Sequence, residues 1–447
     1  MDQIQEHFTY KRLLKYVFPS IVMMVFTSIY GVIDGLFLSN FAGKTAFAAV
    51  NFILPFLMVF GGIGFMFGTG GSAYIAKTLG EGERTKANQT FSSLMIVSLL
   101  TGIVLSIIGY ISIRPVAMAL GAEGQLLENS IIYGNIYLLG VPASVIQYEF
   151  QNLYVTAGKP KLGLYSTIAS GVTNIVLDAV FVAGFSWGLI GAAFATILSQ
   201  WLSAIFPIIY FSRKNSSLLK FVKAKFDWNA LLKICTNGFS ELLNNISMTI
   251  VSLIYNAQLL KYAGTDGIAA YGVLMYINFL FMSIFIGYTV GVSPCISFHY
   301  GAQNHREIKS LLIKSYVILG ACSLLMFTSS ELMAKPISRL FVGYDKGLFD
   351  MTLRGFFLFS FGYLFSGFAL FGSSFFTALN NGPVSAFISF MRTIVFELTL
   401  VFLLPVFWDI DGIWLSVVIA ELLAAFLGIF FVIIKRRTYH YDIKSEL

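Results

Sequence analysis

The stretch AGKTAFAAV, residues 42–50, returns 221 positions later as AGTDGIAAY, residues 263–271. The same shift, without a gap, sets Phe60, Ile63, Gly70, Ser72 and Gly80 on identical residues at 281, 284, 291, 293 and 301. Farther on, Thr156-Ala157 falls on Thr377-Ala378 and Gly191 on Gly412. Single matches carry little in so biased a composition. A register that persists over most of a half-chain means that the chain is two copies of one unit.

What each unit is follows from composition. The 447 residues are 57% hydrophobic and 11% charged, against about 25% charged in ordinary soluble domains. Apolar runs of about 20 residues, enough to cross a bilayer as a helix, recur along the whole length. A bilayer admits only helices or a closed barrel. The runs are continuous rather than alternating, which selects helices. Twelve spans are expected, at 13–38, 46–76, 88–113, 130–157, 162–185, 188–211, 232–260, 268–298, 309–331, 350–379, 384–407 and 411–434. The fold class is an all-α polytopic membrane protein with two six-helix lobes, 1–211 and 232–447, joined by a linker at 212–231. Six spans per unit give both units the same orientation, so a pseudo-two-fold axis along the membrane normal relates them. Parallel repeats of this kind occur in transporters that rock two lobes about a central site.

Basic residues orient the chain. One side collects Lys11, Arg12, Lys15, Lys77, Arg84, Lys86, Lys159, Lys161, the linker cluster from Arg213 to Lys233, Arg306, Lys309, Lys314 and Lys435, Arg436, Arg437, Lys444. The other side has Lys44, Arg114, Lys261, Lys335, Arg339 and Lys346, while Arg354 and Arg392 fall within spans. Both termini and the linker are thus expected in the cytoplasm, and the net charge of +7 reads as a topology signal rather than a nucleic-acid surface. The linker SRKNSSLLKFVKAKFDW alternates apolar and basic residues, suiting either an amphipathic helix on the membrane surface or a solvated connector. The first apolar segment is too long for a signal-peptide core, and no small-residue cleavage site follows it.

Enzyme signatures are missing from the sequence. Cys235, Cys295 and Cys322 have no metal-site spacing and suit small core positions. The four histidines are scattered, and no P-loop, HExxH or GxSxG occurs. GGIGFMFGTGGS at 61–72 sits within a span, where small residues serve close helix packing.

Acids inside the spans are the exception that asks for a purpose, since a carboxylate at the centre of a bilayer helix costs about 2.5–3.5 kcal/mol on insertion scales. They are Asp34, Glu149, Asp178, Glu241, Glu397 and Glu421. At about 1.5 Å per residue, Asp34 lies about 6 Å below the outer end of span 1, Asp178 about 10 Å below that of span 5, and Thr196 about 12 Å down span 6. Asn174 precedes Asp178 by four residues and shares its helix face. Four oxygen-bearing side chains from three helices thus fall at overlapping depths. Hard cations take such ligands, and burial beside a second carboxylate disfavours ionisation, so the cluster suits H⁺ or Na⁺. Glu149 and Glu241 are candidates to line an inner vestibule attractive to cations. Glu397 and Glu421 have no base at i±3 or i±4, and Arg392, five residues before Glu397, points mostly to another helix face. Tyr30, Met248, Tyr276 and Met282 are candidates to stack on planar organic cations, against lipid-facing or core packing.

At this point the chain resembles the multidrug and toxic compound extrusion (MATE) family, in its bacterial DinF-like and MepA-like branches. The resemblance covers nearly the whole length. It rests on Pro19 followed by IYGVIDGLFLSNFAG, on the turns GEGERTKAN and GAQNHREIK, and on TAGKPK with TNIVLDAVFVAGFSWGLIGAAFAT. It implies that Asp34, Asn174, Asp178 and Thr196 form the cation site of the N-terminal lobe, in a V-shaped pair of lobes working by alternating access. It also implies export of organic cations against inward H⁺ or Na⁺. Span 10 lacks the acid that other branches carry there, which leaves Glu241, Glu397 or Glu421 for any second coupling site. The expectation is a non-enzymatic, cofactor-free exporter, a monomer in the bacterial cytoplasmic membrane that handles small organic cations and no nucleic acid. A flippase for a lipid-linked or polyanionic substrate is the alternative, and it would call for a cavity dominated by Arg and Lys.

Overall fold

The structure, a computed structural model, describes residues 4–442, so Lys444 lies outside the described residues. Among these there is no β-strand. The helices are α1 Tyr10–Phe37, α2 Lys44–Gly80, α3 Arg84–Ala119, α4 Gly124–Leu138, α5 Val141–Thr156, α6 Pro160–Asp178 and α7 Gly188–Ser212 in the first half. The second half has α8 Trp228–Gly301, α9 His305–Val342, α10 Lys346–Phe359, α11 Tyr363–Ala378, α12 Gly382–Phe390, α13 Leu398–Leu403 and α14 Pro405–Lys435.

These make the twelve expected spans, with differences in how they join. α4 and α5 form one span bent by 59°, because Gly140 ends one helix and Pro142 starts the next. α8 is nominally 74 residues long, about 110 Å at helical rise and far beyond one crossing. It is two spans folded back at Gly264, where φ is 63° and ψ −153°. Gly43, the repeat mate of Gly264, takes φ 89° and ψ 163° between the first two spans. The repeat therefore conserves a backbone shape that only glycine adopts without strain. Gly82 and Gln303 (φ 82° and 56°), and Gly188 and Asp409 (φ 53° and 46°), are repeat mates as well.

The linker is neither an amphipathic helix nor a free connector. Residues 213–227 are non-helical and lie along α3, which supplies side chains to their backbone. Lys220 N–H donates to Asn88 Oδ1 at 2.9 Å, Val222 N–H to Ser92 Oγ at 3.0 Å, and Ser93 Oγ to the Lys225 carbonyl at 3.0 Å. Phe221 stacks on Phe91 with centroids 4.7 Å apart. An extended strap satisfies its polar backbone this way without needing a helix.

The halves meet through glycines. A Cβ on Gly80 would lie 2.0 Å from the Phe298 carbonyl oxygen, and one on Gly301 would lie 2.0 Å from that of Lys77. Gly70 and Gly238 likewise seat α2 against the first limb of α8, and Gly287 and Gly291 seat its second limb against Ile21 and Val17 of α1. Small residues allow such backbone approach between membrane helices. These contacts gather towards the end of the bundle that carries the start of α1 and the ends of α2 and α8, called here the proximal end. Asp34 and Asp178 lie towards the opposite, distal end.

Candidate functional site

α1 reaches the first-half site because α6 gives it room. A Cβ on Gly171 would lie 2.5 Å from the Phe26 ring and 3.1 Å from that of Tyr30. Tyr30 and Asp34, one turn apart, then face α6. Asp178 is the last residue of α6 before a π-helical stretch, Ala179–Gly184, and Asp34 stands just before another, Leu38–Ala42. Such wide turns recur at functional sites because they re-aim side chains.

Asp178 is fully buried, Asn174 is 2% exposed and Asp34 is half-buried. The Asp34 and Asp178 carboxyl groups face each other within hydrogen-bonding reach. Neither Asp178 oxygen has a donor, and Asp34 Oδ1 and Asn174 Nδ2 are also without partners. Thr196 Oγ1 donates to the Ala192 carbonyl at 3.0 Å, which leaves its oxygen to act as an acceptor. Two ionised carboxylates so placed repel each other, and one proton or one small cation between them removes the repulsion. An all-oxygen set is also the chemistry a hard monovalent cation takes.

A ring of polar residues surrounds the pair, and of these sequence reasoning singled out only Tyr30, as a candidate to stack on organic cations. Tyr133 of α4 lies beside Thr196 and near both aspartates. Tyr137, one turn along, adjoins Gln200 of α7, and Tyr30 adjoins Gln147 of α5. Gln147 and Gln200 carry a visible signal, an amide inside an apolar span. Tyr133 and Tyr137 carry none among the 22 tyrosines in the chain.

The other candidates do not join this cluster. Glu149 is fully buried with both oxygens unpartnered, and Ser98 of α3 lies near it. It does not line a vestibule, because α5 packs behind α2: a Cβ on Gly68 would sit 2.9 Å from the Glu149 Cα. In the second half Arg392 meets Glu421, with Nη2 2.6 Å from Oε1 and Nε 3.1 Å from Oε2. Glu397 and Glu241 stand near the guanidinium. The reading of Arg392 as facing away from Glu397 assumed an α-helix. Met391–Glu397 is π-helical, and i→i+5 bonding brings residues five apart round to one face. Tyr276 stacks on Phe341 at 5.8 Å and thus packs within the second half. Met282 is half-buried among core side chains. Met248 is 51% exposed, on the same helix face as Glu241. Arg354, expected inside a span, is exposed and pairs with Asp411.

Comparison with known proteins agrees with this architecture. The MatE family model matches residues 19–180 and again 242–403, once per repeat. The multidrug export protein MepA of Staphylococcus saprophyticus is 26% identical over 446 residues, covering 98% of this chain and 96% of that one. MepA of Staphylococcus aureus (strain MRSA252) is 24% identical over 444 residues, with 98% and 96% covered. Among solved structures, a MATE protein in complex with MaL6 superposes with TM-score 0.93 at 20% identity, covering 98% of each chain. The outward-facing form of a MATE family transporter of the MOP superfamily gives 0.92, again at 20% identity and 98% coverage. With twelve spans in two like halves and the family model matched in both, the chain belongs to the MatE (multidrug and toxic compound extrusion) family, whose members are membrane transporters and not enzymes.

Proposed function

We propose that the protein is a secondary multidrug exporter that couples efflux of organic cations to inward movement of H⁺ or Na⁺. The observation that carries this reading is the facing pair Asp34 and Asp178, whose buried oxygens have no donor of their own. In a state open to the distal side the pair takes up a proton or Na⁺ with help from Asn174 and Thr196. Neutralising it alters how the distal part of α1 sits on α6, and linkage requires the drug to prefer the other state. The basic residues cluster at the proximal end, which supports a cytoplasmic location for that end and both termini. The bacterial multidrug export proteins it is similar to support a place in the cytoplasmic membrane. The chain acts as a monomer of two lobes, 1–211 and 232–447, about the 212–231 strap.

Glu241 and Glu397, two acids beyond the one that Arg392 neutralises, form a second cationic subsite in the second lobe. With the buried Arg392 and the exposed Arg354 both paired to carboxylates, this arrangement favours cationic substrates over the polyanions a flippase would carry.

The test is efflux of a fluorescent organic cation from proteoliposomes under separately imposed pH and Na⁺ gradients. Wild-type protein drives efflux under at least one gradient. Efflux by Asp34→Asn and Asp178→Asn equal to wild type would overturn the assignment.

A further inference from the structure

The segment that leads into α1 belongs by sequence to the first lobe but is fastened to the second. Glu307 stands in the first turn of α9 and is 4% exposed. Its Oε1 accepts the Phe8 N–H at 2.9 Å and its Oε2 meets His7 Nδ1 at 2.6 Å. Asn304 caps the same helix by accepting the Glu307 N–H at 3.1 Å, which fixes where the carboxylate points. Two turns on, Lys314 donates to the Phe8 carbonyl and to Ser310 Oγ. The Phe8 ring is wholly buried. It stands edge-on to Tyr16 of α1, at 5.7 Å, and to His299 of α8, at 6.4 Å, one wall from each lobe. Tyr16 in turn donates to the Val155 carbonyl of α5 at 2.9 Å. A chain of contacts thus runs from α5 through Tyr16, Phe8 and Glu307 into α9, across the lobe boundary at the proximal end.

The chemistry makes this contact hard to keep when the lobes part. Both side-chain oxygens of a buried carboxylate are served by the other lobe, and an aromatic ring is sealed between the two. Opening the proximal end leaves Glu307 without either partner and exposes Phe8, or else drags the segment off the first lobe.

We propose that residues 4–9 form a latch in which His7 and Phe8 of the first lobe engage Glu307 and Lys314 of the second, holding the proximal face shut. Release of this latch is then a required step of proximal opening. The proposal rests on the two-lobe transport reading above and adds to it a gate that the cation site does not contain. Arg12, in the first turn of α1, pairs with Glu6 and lies over the Phe8 ring at 5.3 Å.

The test uses the full chain with Cys235, Cys295 and Cys322 replaced by serine. Spin labels go on Lys161→Cys and Arg437→Cys, exposed positions at the proximal ends of α6 and α14. Pulsed distance measurement in lipid nanodiscs should show one short separation in the parent protein. In His7→Ala and in Glu307→Gln the longer, proximal-open population should rise at least about fivefold, as for loss of a charge-assisted hydrogen bond. The double variant should add little to either single one. If Glu307→Gln fails to fold, His7→Ala, outside any helix, carries the test alone. Distance distributions identical to the parent in folded His7→Ala would overturn the latch. A shift in distance without any gradient-driven efflux by the parent would keep the latch and count against the exporter reading.

Discussion

Gly80 and Gly301 occupy the same place in the two repeats and touch each other's helix across the pseudo-two-fold axis. Each packs on the backbone carbonyl three residues before the other, Phe298 and Lys77. The contact is therefore isologous, as in a symmetric dimer, although one chain makes both sides of it.

Gly80→Ala tests this contact. The obstructing atom is a backbone oxygen at 2.0 Å, which no rotamer change can move, so the lobes must separate at the proximal end. Overpacking of this kind costs about 1–3 kcal/mol. The expected outcome is a lower thermal midpoint in detergent and faster thiol labelling of a cysteine placed at the proximal seam. Gly272→Ala, where a Cβ meets nothing within 4 Å, is the control. Helix propensity there predicts a gain of about 0.5–1 kcal/mol.

Asp34→Asn and Asp178→Asn should act alike, because each removes one member of the same pair. An amide can donate to the remaining carboxylate, so folding survives while the exchangeable charge is lost. Dye efflux driven by an ion gradient should fall to the level of empty liposomes, and dye binding to detergent-solubilised protein should stay within about threefold of wild type. Binding that collapsed together with transport would place the pair in the drug site instead.

The Arg392–Glu421 pair predicts an asymmetric response. Arg392→Ala leaves three carboxylates together in the membrane interior and should cost about 3–5 kcal/mol, as removal of one partner of a buried pair does. Replacing both, as Arg392→Met with Glu421→Leu, should recover most of the lost thermal stability, since such replacements are often neutral. A double variant as unstable as the single one would mean that Arg392 chiefly serves Glu397 or Glu241.

How much of this was legible in the sequence depended on the kind of signal. The twelve spans and the duplication rested on apolar length and on a constant register, both of which survive folding unchanged. Asp34, Asn174, Asp178 and Thr196 could be grouped because helical rise converts sequence position into depth. The Arg392–Glu421 pair could not be found that way, since the helical periodicity assumed around Arg392 fails in a π-helical stretch. Tyr133 and Tyr137 were hidden because a tyrosine in an aromatic-rich chain does not announce which neighbour it meets. The linker misled for a related reason. Its alternation is real, but the partners of its backbone, Asn88 and Ser92, lie on another helix.

Asp409 offers a last test, of backbone rather than side chain. It holds φ 46° and ψ −131°, a combination that costs a residue with a Cβ about 1–3 kcal/mol, and its side chain is exposed. Its repeat mate in the first half is Gly188, at φ 53°. Asp409→Gly should therefore raise stability by about 1 kcal/mol, read as an upward shift of the thermal midpoint. Gly188→Asp should lower it by a similar amount, although a Cβ there would come no nearer than 3.9 Å to a neighbour. The two changes act on unlinked turns, one at the entry to each lobe's last span, so in one protein their effects should add. If Asp409→Gly were instead destabilising, the aspartate would be holding the turn through its carboxylate, and the two halves would differ in how they enter their last span.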